Sequence, residues 1–166
     1  MSSPVGIEVG KDVTLDQLRA EGYKAFYIAI GCQGGKKAGI PGEDAEGVMT
    51  AVDFLRTVGA DESYPVTGKA VVVGGGNVAI DVARTASRCG AESVSMFCLE
   101  PRNKMPASEE EIAEALEEDV TIDCGWGPKE IQTENGKVTG IVFKRCTSVW
   151  DAEGRFAPIY DENDTK

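Results

Sequence analysis

Residues 69–81 read KAVVVGGGNVAID, an apolar run followed by three glycines and then by apolar residues at helical spacing. The pattern predicts a buried strand, a tight turn and the start of an α-helix. Within it, Gly74, Gly76 and Ala79 have the G-x-G-x-x-A spacing of dinucleotide-binding turns. The first glycine permits the turn, the second lets the backbone approach a diphosphate, and the small third residue lets the helix pack on the strand.

The candidate contacts for a pyrophosphate are the residues of this turn. We expect Asn77 to be the N-cap of the helix, whose free N–H groups would favour an anion. The predicted cofactor-binding residues of the turn are Gly74, Gly75, Gly76, Asn77, Val78 and Ala79.

A glycine turn alone is weak evidence for a ligand, so the dinucleotide-binding interpretation depends on the residues that surround the turn. A second apolar strand is predicted at residues 94–98, and Glu100 follows, 21 residues after Ala79. This is close to the interval of about 20 residues at which an acid binds the adenosine ribose. Arg102 is a further candidate, because it could neutralise Glu100 at the surface or reach a phosphate itself.

The charge of the chain excludes some partners. Its 166 residues carry a net charge of −11, from 17 basic and 28 acidic side chains. Proteins that bind nucleic acids or anionic membranes usually have a basic surface, so we expect neither as a partner. There is no apolar run of membrane-spanning length, and we expect a cytoplasmic protein.

Much of the acid lies in residues 109–119, which we interpret as the solvated face of a helix. Ser108 and Glu111 have the spacing of a capping box at its start. The predicted buried stripe consists of Ile112, Ala115 and Leu116.

The five cysteines include no C-x-x-C pair, and the chain has no histidine. We therefore expect reduced, mostly buried thiols rather than an iron–sulfur site or a redox disulfide. The absence of histidine removes the commonest general base and neutral metal ligand. No residue is predicted to be a catalytic acid or base, and no metal site is predicted.

The remaining pattern predicts an incomplete α/β fold of the FAD/NAD(P)-binding domain type, a Rossmann-like parallel sheet with an antiparallel β-meander. Helices are expected at residues 14–22 and 48–58, the second stopped by Gly59, and Asn135-Gly136 is a strong hairpin signal. Strands are expected at residues 23–31, 120–124, 130–133, 137–144 and 155–160, with a loop at 125–128 and a frayed tail at 161–166.

Several motifs together resemble the small (beta) subunit of NADPH-dependent glutamate synthase and related flavin reductases, including the similar region of dihydropyrimidine dehydrogenase. They include GKDVTLDQL at residues 10–18, IPGED at 40–44 and MPA at 105–107, besides the glycine turn. The resemblance covers most of residues 5–145. It implies hydride transfer from a nicotinamide to FAD, with electrons passing on to clusters or to another subunit.

The resemblance also implies a domain division. Residues 1–66 would be the tail of a flavin-domain segment and a crossover linker. Residues 67–166 would be an inserted NAD(P)H-binding domain without its last strand. The flavin motifs are absent, so we expect a fragment that does not bind FAD by itself, and the open sheet edge could support a homodimer.

The family usually has two arginines after the second strand, suited to the 2′-phosphate of NADP(H), where this chain has Leu99 and Glu100. A carboxylate accepts hydrogen bonds from ribose hydroxyls and repels a phosphate. The sequence therefore favours NAD(H), with NADP(H) as the other possibility.

Two alternatives remain at this point: a non-catalytic NAD-binding or sensing module, and another Rossmann enzyme such as a methyltransferase. Asp81 and Arg84 are expected to pair on the surface of the glycine-turn helix. Trp126 and Trp150 are candidates for stacking on a cofactor ring, although packing is the commoner role.

Overall fold

The computed structural model describes residues 6–166, which divide after Gln33 into two compact units. The helices are α1 (Leu15–Ala20), α2 (Ala51–Ala60), α3 (Asn77–Arg88) and α4 (Glu109–Glu117), with a 3-10 turn at Arg102–Lys104. The strands are β1 (Lys69–Val73), β2 (Ser93–Cys98), β3 (Thr121–Cys124), β4 (Trp126–Glu134), β5 (Lys137–Trp150) and β6 (Phe156–Thr165). None of the helices within this described range is long and apolar enough to cross a membrane.

The first unit contains α1, which begins at a complete capping box formed by Thr14 and Gln17. The strand predicted at residues 23–31 is wrong, because this segment belongs to no sheet in the described chain. Tyr27 and Ile28 are 94% and 79% exposed. A strand is stabilised by hydrogen bonds to a neighbour, and no described residue supplies that neighbour.

The second unit is built on a three-stranded parallel sheet of order β1-β2-β3. Val73 pairs with Phe97, and Cys98 pairs with Cys124, at the carboxyl ends of the strands. α3 connects β1 to β2 and α4 connects β2 to β3, as expected for a parallel sheet. The main core lies between sheet and helices and includes the fully buried Ile80, Met96 and Ile112.

α2 also packs on this core, through Phe54, whose ring meets that of Tyr64 edge-on at 6.4 Å. The predicted bounds of this helix are wrong at both ends. It begins at Ala51 because Thr50 caps it, its side chain accepting from the N–H of Asp53. It continues through Gly59, since a glycine inside a helix costs only about 1 kcal/mol relative to alanine.

α4 carries the acidic face expected of it and buries Ile112 and Ala115 completely. The prediction for Leu116 is wrong, because this residue is 51% exposed. It lies in the last turn, where the chain leaves the helix and the buried Val120 donates its N–H to the carbonyl of Ala115. Ser108 caps the helix by accepting from the N–H of Glu111 at 3.2 Å.

An antiparallel meander of order β4-β5-β6 follows the parallel sheet. The predicted Asn135-Gly136 turn is confirmed, with φ of 52° and 80° at its two residues, as a type I′ turn requires. The loop predicted at residues 125–128 is wrong, because β4 begins at Trp126 and its antiparallel pairing with β5 starts there.

The frayed tail predicted at residues 161–166 is also wrong. β6 extends to Thr165, and the backbone of Lys166 exchanges two hydrogen bonds with that of Phe143, of 3.0 and 2.9 Å. The segment is polar but has a strand to pair with, and those ladder bonds outweigh its low strand propensity. The α/β class, with a parallel sheet and an antiparallel meander, is confirmed.

Candidate functional site

The glycine turn lies at the carboxyl end of β1, where the site residues were predicted. Gly74 has φ of 147°, in a region that residues with a side chain rarely adopt. Its N–H donates to the carbonyl of Phe97 at 2.8 Å, which extends the β1–β2 pairing by one residue. A Cβ at Gly74 would lie 3.2 Å from that of Ala79, so both small residues serve the close approach of α3 to β1.

The next two glycines face different surroundings. A Cβ added at Gly75 would lie 3.0 Å from both the Cβ of Cys98 and the Oε2 of Glu100, so the protein itself fills that space. A Cβ added at Gly76 would meet nothing within 4 Å. No packing contact with residues 6–166 therefore explains the glycine at position 76, and these residues leave the space beside it open to a ligand.

The start of α3 leaves hydrogen-bond donors free. Among the described residues, no acceptor takes the backbone N–H groups of Gly76, Asn77 or Val78. Such groups carry partial positive charge and favour an anion. The prediction that Asn77 is the N-cap is wrong. The N-cap is Gly76, and Asn77 is the first residue of the helix.

Asn77 instead joins two elements that are distant in the sequence. Its Oδ1 accepts a hydrogen bond of 3.0 Å from the backbone N–H of Ser108, the N-cap of α4. A second hydrogen bond of 3.0 Å runs from the N–H of Ala107 to the carbonyl of Gly75. The segment with the Met-Pro-Ala motif thus holds the glycine turn in place through these two hydrogen bonds. Sequence reasoning missed these two contacts, although the motif marked the segment.

Glu100 comes two residues after β2, at the same edge of the sheet as the glycine turn. Its Oε2 lies 3.0 Å from the position that a Cβ of Gly75 would take. Its carbonyl accepts from the N–H of Gly125 at 3.2 Å, which fixes the backbone at this point. No described residue donates a hydrogen bond to its carboxylate or pairs with it, so that carboxylate is free to accept hydrogen bonds from a ligand.

Arg102 does not pair with Glu100. Its guanidinium binds both carboxylate oxygens of Glu109, at 3.1 and 2.9 Å. This bidentate bond raises the pKa of Arg102 and lowers that of Glu109. Within residues 6–166, no cation therefore neutralises Glu100, and Arg102 pairs with the first turn of α4.

The predicted pair of Asp81 and Arg84 is wrong. Arg84 reaches across to α4, where its Nε lies 2.9 Å from Glu118 and its Nη1 contacts Glu114. Arg84 is half-buried between the two helices whereas Asp81 is exposed, so the α4 carboxylates are the better partners. The arginine holds α3 against α4, away from the glycine turn.

A cleft of about 260 Å³ lies between the chain after β2 and strand β5, and Leu99 and Pro101 are among its lining residues. Lys104 and Trp150 stand at its wall, with the ammonium 5.6 Å from the ring centre. The other tryptophan, Trp126, has its ring covered by the guanidinium of Arg145 at 4.4 Å. The sequence did not single out Lys104, because a lone lysine in a polar loop carries no signal by itself.

No group of three or more histidine, cysteine, aspartate or glutamate side chains in residues 6–166 could hold a metal ion.

Comparison with known proteins defines the class. The model of the pyridine nucleotide-disulphide oxidoreductase family matches residues 3–156, and the chain belongs to this family. It is 40% identical over 155 residues to the NADP(+)-dependent formate dehydrogenase subunit beta of Moorella thermoacetica, covering 91% of this chain and 22% of that protein. It is 36% identical over 161 residues to the glutamate synthase [NADPH] small chain of Escherichia coli, covering 89% of this chain and 34% of that one.

The chain thus spans about a quarter to a third of the length of these relatives. Among solved structures, FprA of Mycobacterium tuberculosis in complex with NADPH has the same fold, with a TM-score of 0.76 at 22% identity, over 96% of this chain and 51% of that one. The resemblance to the glutamate synthase small subunit and related flavin reductases is confirmed.

Proposed function

We propose that this chain binds a pyridine nucleotide, with NADH preferred over NADPH, in a flavin-dependent oxidoreductase. The full-length protein would hold FAD elsewhere and accept a hydride from the nucleotide. Residues 67–166 would form the nucleotide-binding domain, and residues 1–66 would belong to the flavin-domain segment and its linker. Family membership supports the general class, and the geometry around Glu100 carries the preference for NADH.

The diphosphate would lie against the glycine turn. The space beside Gly76 accommodates a ligand without displacing a protein atom. The free N–H groups of Gly76, Asn77 and Val78 would donate to its oxygens, and the helix dipole would stabilise its charge. Gly75 would allow the turn to pack on β2, and Ala79 would allow α3 to pack on β1. Three of the six predicted turn residues would thus donate hydrogen bonds to the cofactor, and the other three would shape the turn.

The adenosine ribose would then reach the end of β2, where Glu100 is the nearest acidic side chain. A carboxylate without a protein partner accepts hydrogen bonds from both ribose hydroxyls. It repels a 2′-phosphate, and Arg102 does not offset this repulsion because Glu109 holds it. Lys104 is a second cation near this part of the chain. It lines the cleft and contacts the ring of Trp150.

The nicotinamide supplies a hydride when the nucleotide is bound. The contribution of this chain would be to bind the nucleotide, orient it by the glycine turn and Glu100, and present it to the flavin.

Equilibrium titration with NADH and NADPH tests the preference. We expect wild-type protein to bind NADH about tenfold more tightly, a difference of about 1.4 kcal/mol. Glu100→Arg should reverse the order, because the new cation attracts the 2′-phosphate. Glu92→Gln is the matched control, since Glu92 is exposed just before β2 and should leave both affinities unchanged. Tighter binding of NADPH by the wild type would refute the preference.

The flavin part is tested with the full-length protein. We expect it to purify with bound FAD and to lose its yellow colour when NADH is added under anaerobic conditions. A full-length protein that binds NADH but no flavin would support the alternative, a non-catalytic NAD-binding or sensing module.

A further inference from the structure

Two cysteines that are distant in the sequence meet beside the glycine turn. Cys98 ends β2 and Cys124 ends β3, and the two are paired in register in the parallel sheet. Their Sγ atoms are 3.7 Å apart, and Cys124 also contacts the Sδ of Met105 at 3.8 Å. All five cysteines are free thiols. Cys98 and Cys124 are neighbours although the sequence contains no C-x-x-C pair, because strand pairing brings them together.

The geometry is suited to a disulfide. Adjacent strands lie about 4.8 Å apart, within the range of Cα separations of about 4.4 to 6.8 Å that disulfides span. In-register side chains project from the same face of a sheet, and the short Sγ–Sγ distance is consistent with this. Bond formation would bring the sulfurs from 3.7 Å to about 2.05 Å without a change of register.

The pair is also connected to the candidate nucleotide site. The Cβ of Cys98 lies 3.0 Å from where a Cβ of Gly75 would stand, so the cysteine directly underlies the glycine turn. The Cys98 thiol lies 3.5 Å from the carbonyl of Glu100. Close-packed interiors transmit small displacements. A shift of Cys98 toward Cys124 would therefore alter both the turn and the residue proposed to select the ribose.

We propose that Cys98 and Cys124 are a modification site, in which a hydroperoxide oxidises the pair to a disulfide and weakens nucleotide binding at the adjacent turn. Formation of the disulfide stands on the sulfur geometry alone, whereas its effect on affinity rests on the proposed function.

The chemistry has two balanced steps. The thiolate of Cys124 attacks hydrogen peroxide, the O–O bond breaks, and the products are a sulfenic acid and hydroxide. The Cys98 sulfur then attacks the Cys124 sulfur, the S–O bond breaks, and water leaves. Overall, two thiols and one peroxide give one disulfide and two waters.

The order of the two cysteines follows from their surroundings. Burial and the neighbouring Cys124 raise the pKa of Cys98 to about 12, which disfavours its thiolate. Cys124 is only half-buried and is therefore the thiol that a small oxidant meets first.

Peptide mapping tests the bond. We use a Cys32→Ser, Cys89→Ser background, so that the tryptic peptide 89–102 contains only Cys98 and the peptide 105–129 only Cys124. After treatment with hydrogen peroxide, we expect these peptides to be linked, with a mass two hydrogens below their sum, and to separate on reduction. Cys124→Ser in the same background should give no linked peptide. Two free thiols, or two separately overoxidised ones, would refute the proposal.

Nucleotide titration of the same samples tests the consequence. We expect the dissociation constant for NADH to rise about tenfold on oxidation and to recover on reduction, within the usual range of coupling between sites. Peroxide should leave the affinity of the Cys124→Ser variant unchanged. A linked but equally tight-binding protein would refute the coupling. If the reduced protein binds neither nucleotide, the proposed function fails, and the mapping still decides the disulfide.

Discussion

The side chain of Asn77 accepts a hydrogen bond of 3.0 Å from the backbone N–H of Ser108, and so joins the start of α3 to the start of α4. The first residue after the glycine turn is thus held by the segment that follows β2. Together with the bond between Ala107 and Gly75, this contact fixes the turn independently of any ligand. Preorganisation of this kind lowers the entropic cost of binding.

We predict that Asn77→Ala lowers the free energy of unfolding by about 1 kcal/mol, the usual net loss for one hydrogen bond. The N–H of Ser108 is exposed, so water replaces the lost acceptor in part. Urea denaturation measures the change. Asn103→Ala is the control, because the exposed Asn103 makes no side-chain hydrogen bond in the described chain. Equal stability of the two variants would contradict the role of the bond.

Gly76→Ser should separate stability from binding. Serine is a better N-cap than glycine or equal to it, and the site has φ of −95° and open space, so we expect the free energy of unfolding to stay within about 0.5 kcal/mol. The added side chain would occupy the proposed diphosphate position, and NADH affinity should fall by at least about tenfold. Calorimetry measures the free energy of unfolding, and titration measures the affinity for NADH. Unchanged affinity would place the diphosphate elsewhere.

The salt bridges between α3 and α4 predict a pH dependence. Hydrogen bonds from Arg88 and Arg84 lower the pKa of Glu118 below its ordinary value of 4.5. Its stabilising effect is therefore fully present above that value and is lost as the pH falls through the lowered pKa of the folded state. Glu118→Gln should be less stable than wild type at pH 7, by on the order of 1 kcal/mol for lost bonds to charged groups.

This deficit should shrink as the pH is lowered from 5 toward 3, measured by urea denaturation at each pH. Glu117→Gln is the matched control, since Glu117 is exposed and makes no ion pair in the described chain. A deficit that stays constant with pH would show that the carboxylate charge is not its source.

Two glycine-to-alanine substitutions should have opposite effects. Gly59→Ala in α2 meets nothing within 4 Å and should stabilise the protein by about 0.5 to 1 kcal/mol through helix propensity. Gly127→Ala would place its Cβ 2.9 Å from Leu99 and closer still to the ring of Tyr160. We expect that overpacking to destabilise the protein by about 1 to 3 kcal/mol. Thermal denaturation of both variants checks the signs.

The sequence by itself determined the features that depend on local backbone conformation. The strand, glycine turn and helix of residues 69–88 could be predicted because three glycines and a helical apolar period lie within one segment. The Asn135-Gly136 turn followed from the positive φ that these two residues tolerate. Family membership also followed from short motifs in a fixed order.

Only the tertiary structure decided which distant groups meet. It gave Arg84 and Arg102 partners on α4, left the Glu100 carboxylate without a partner among the described residues, and brought Cys98 to Cys124. It also paired the polar residues 161–165 with β5 and left residues 23–31 outside any described sheet. These outcomes depend on strand register and helix packing, which set distances between residues far apart in the chain. Propensity acts only on neighbours, so it could not predict them.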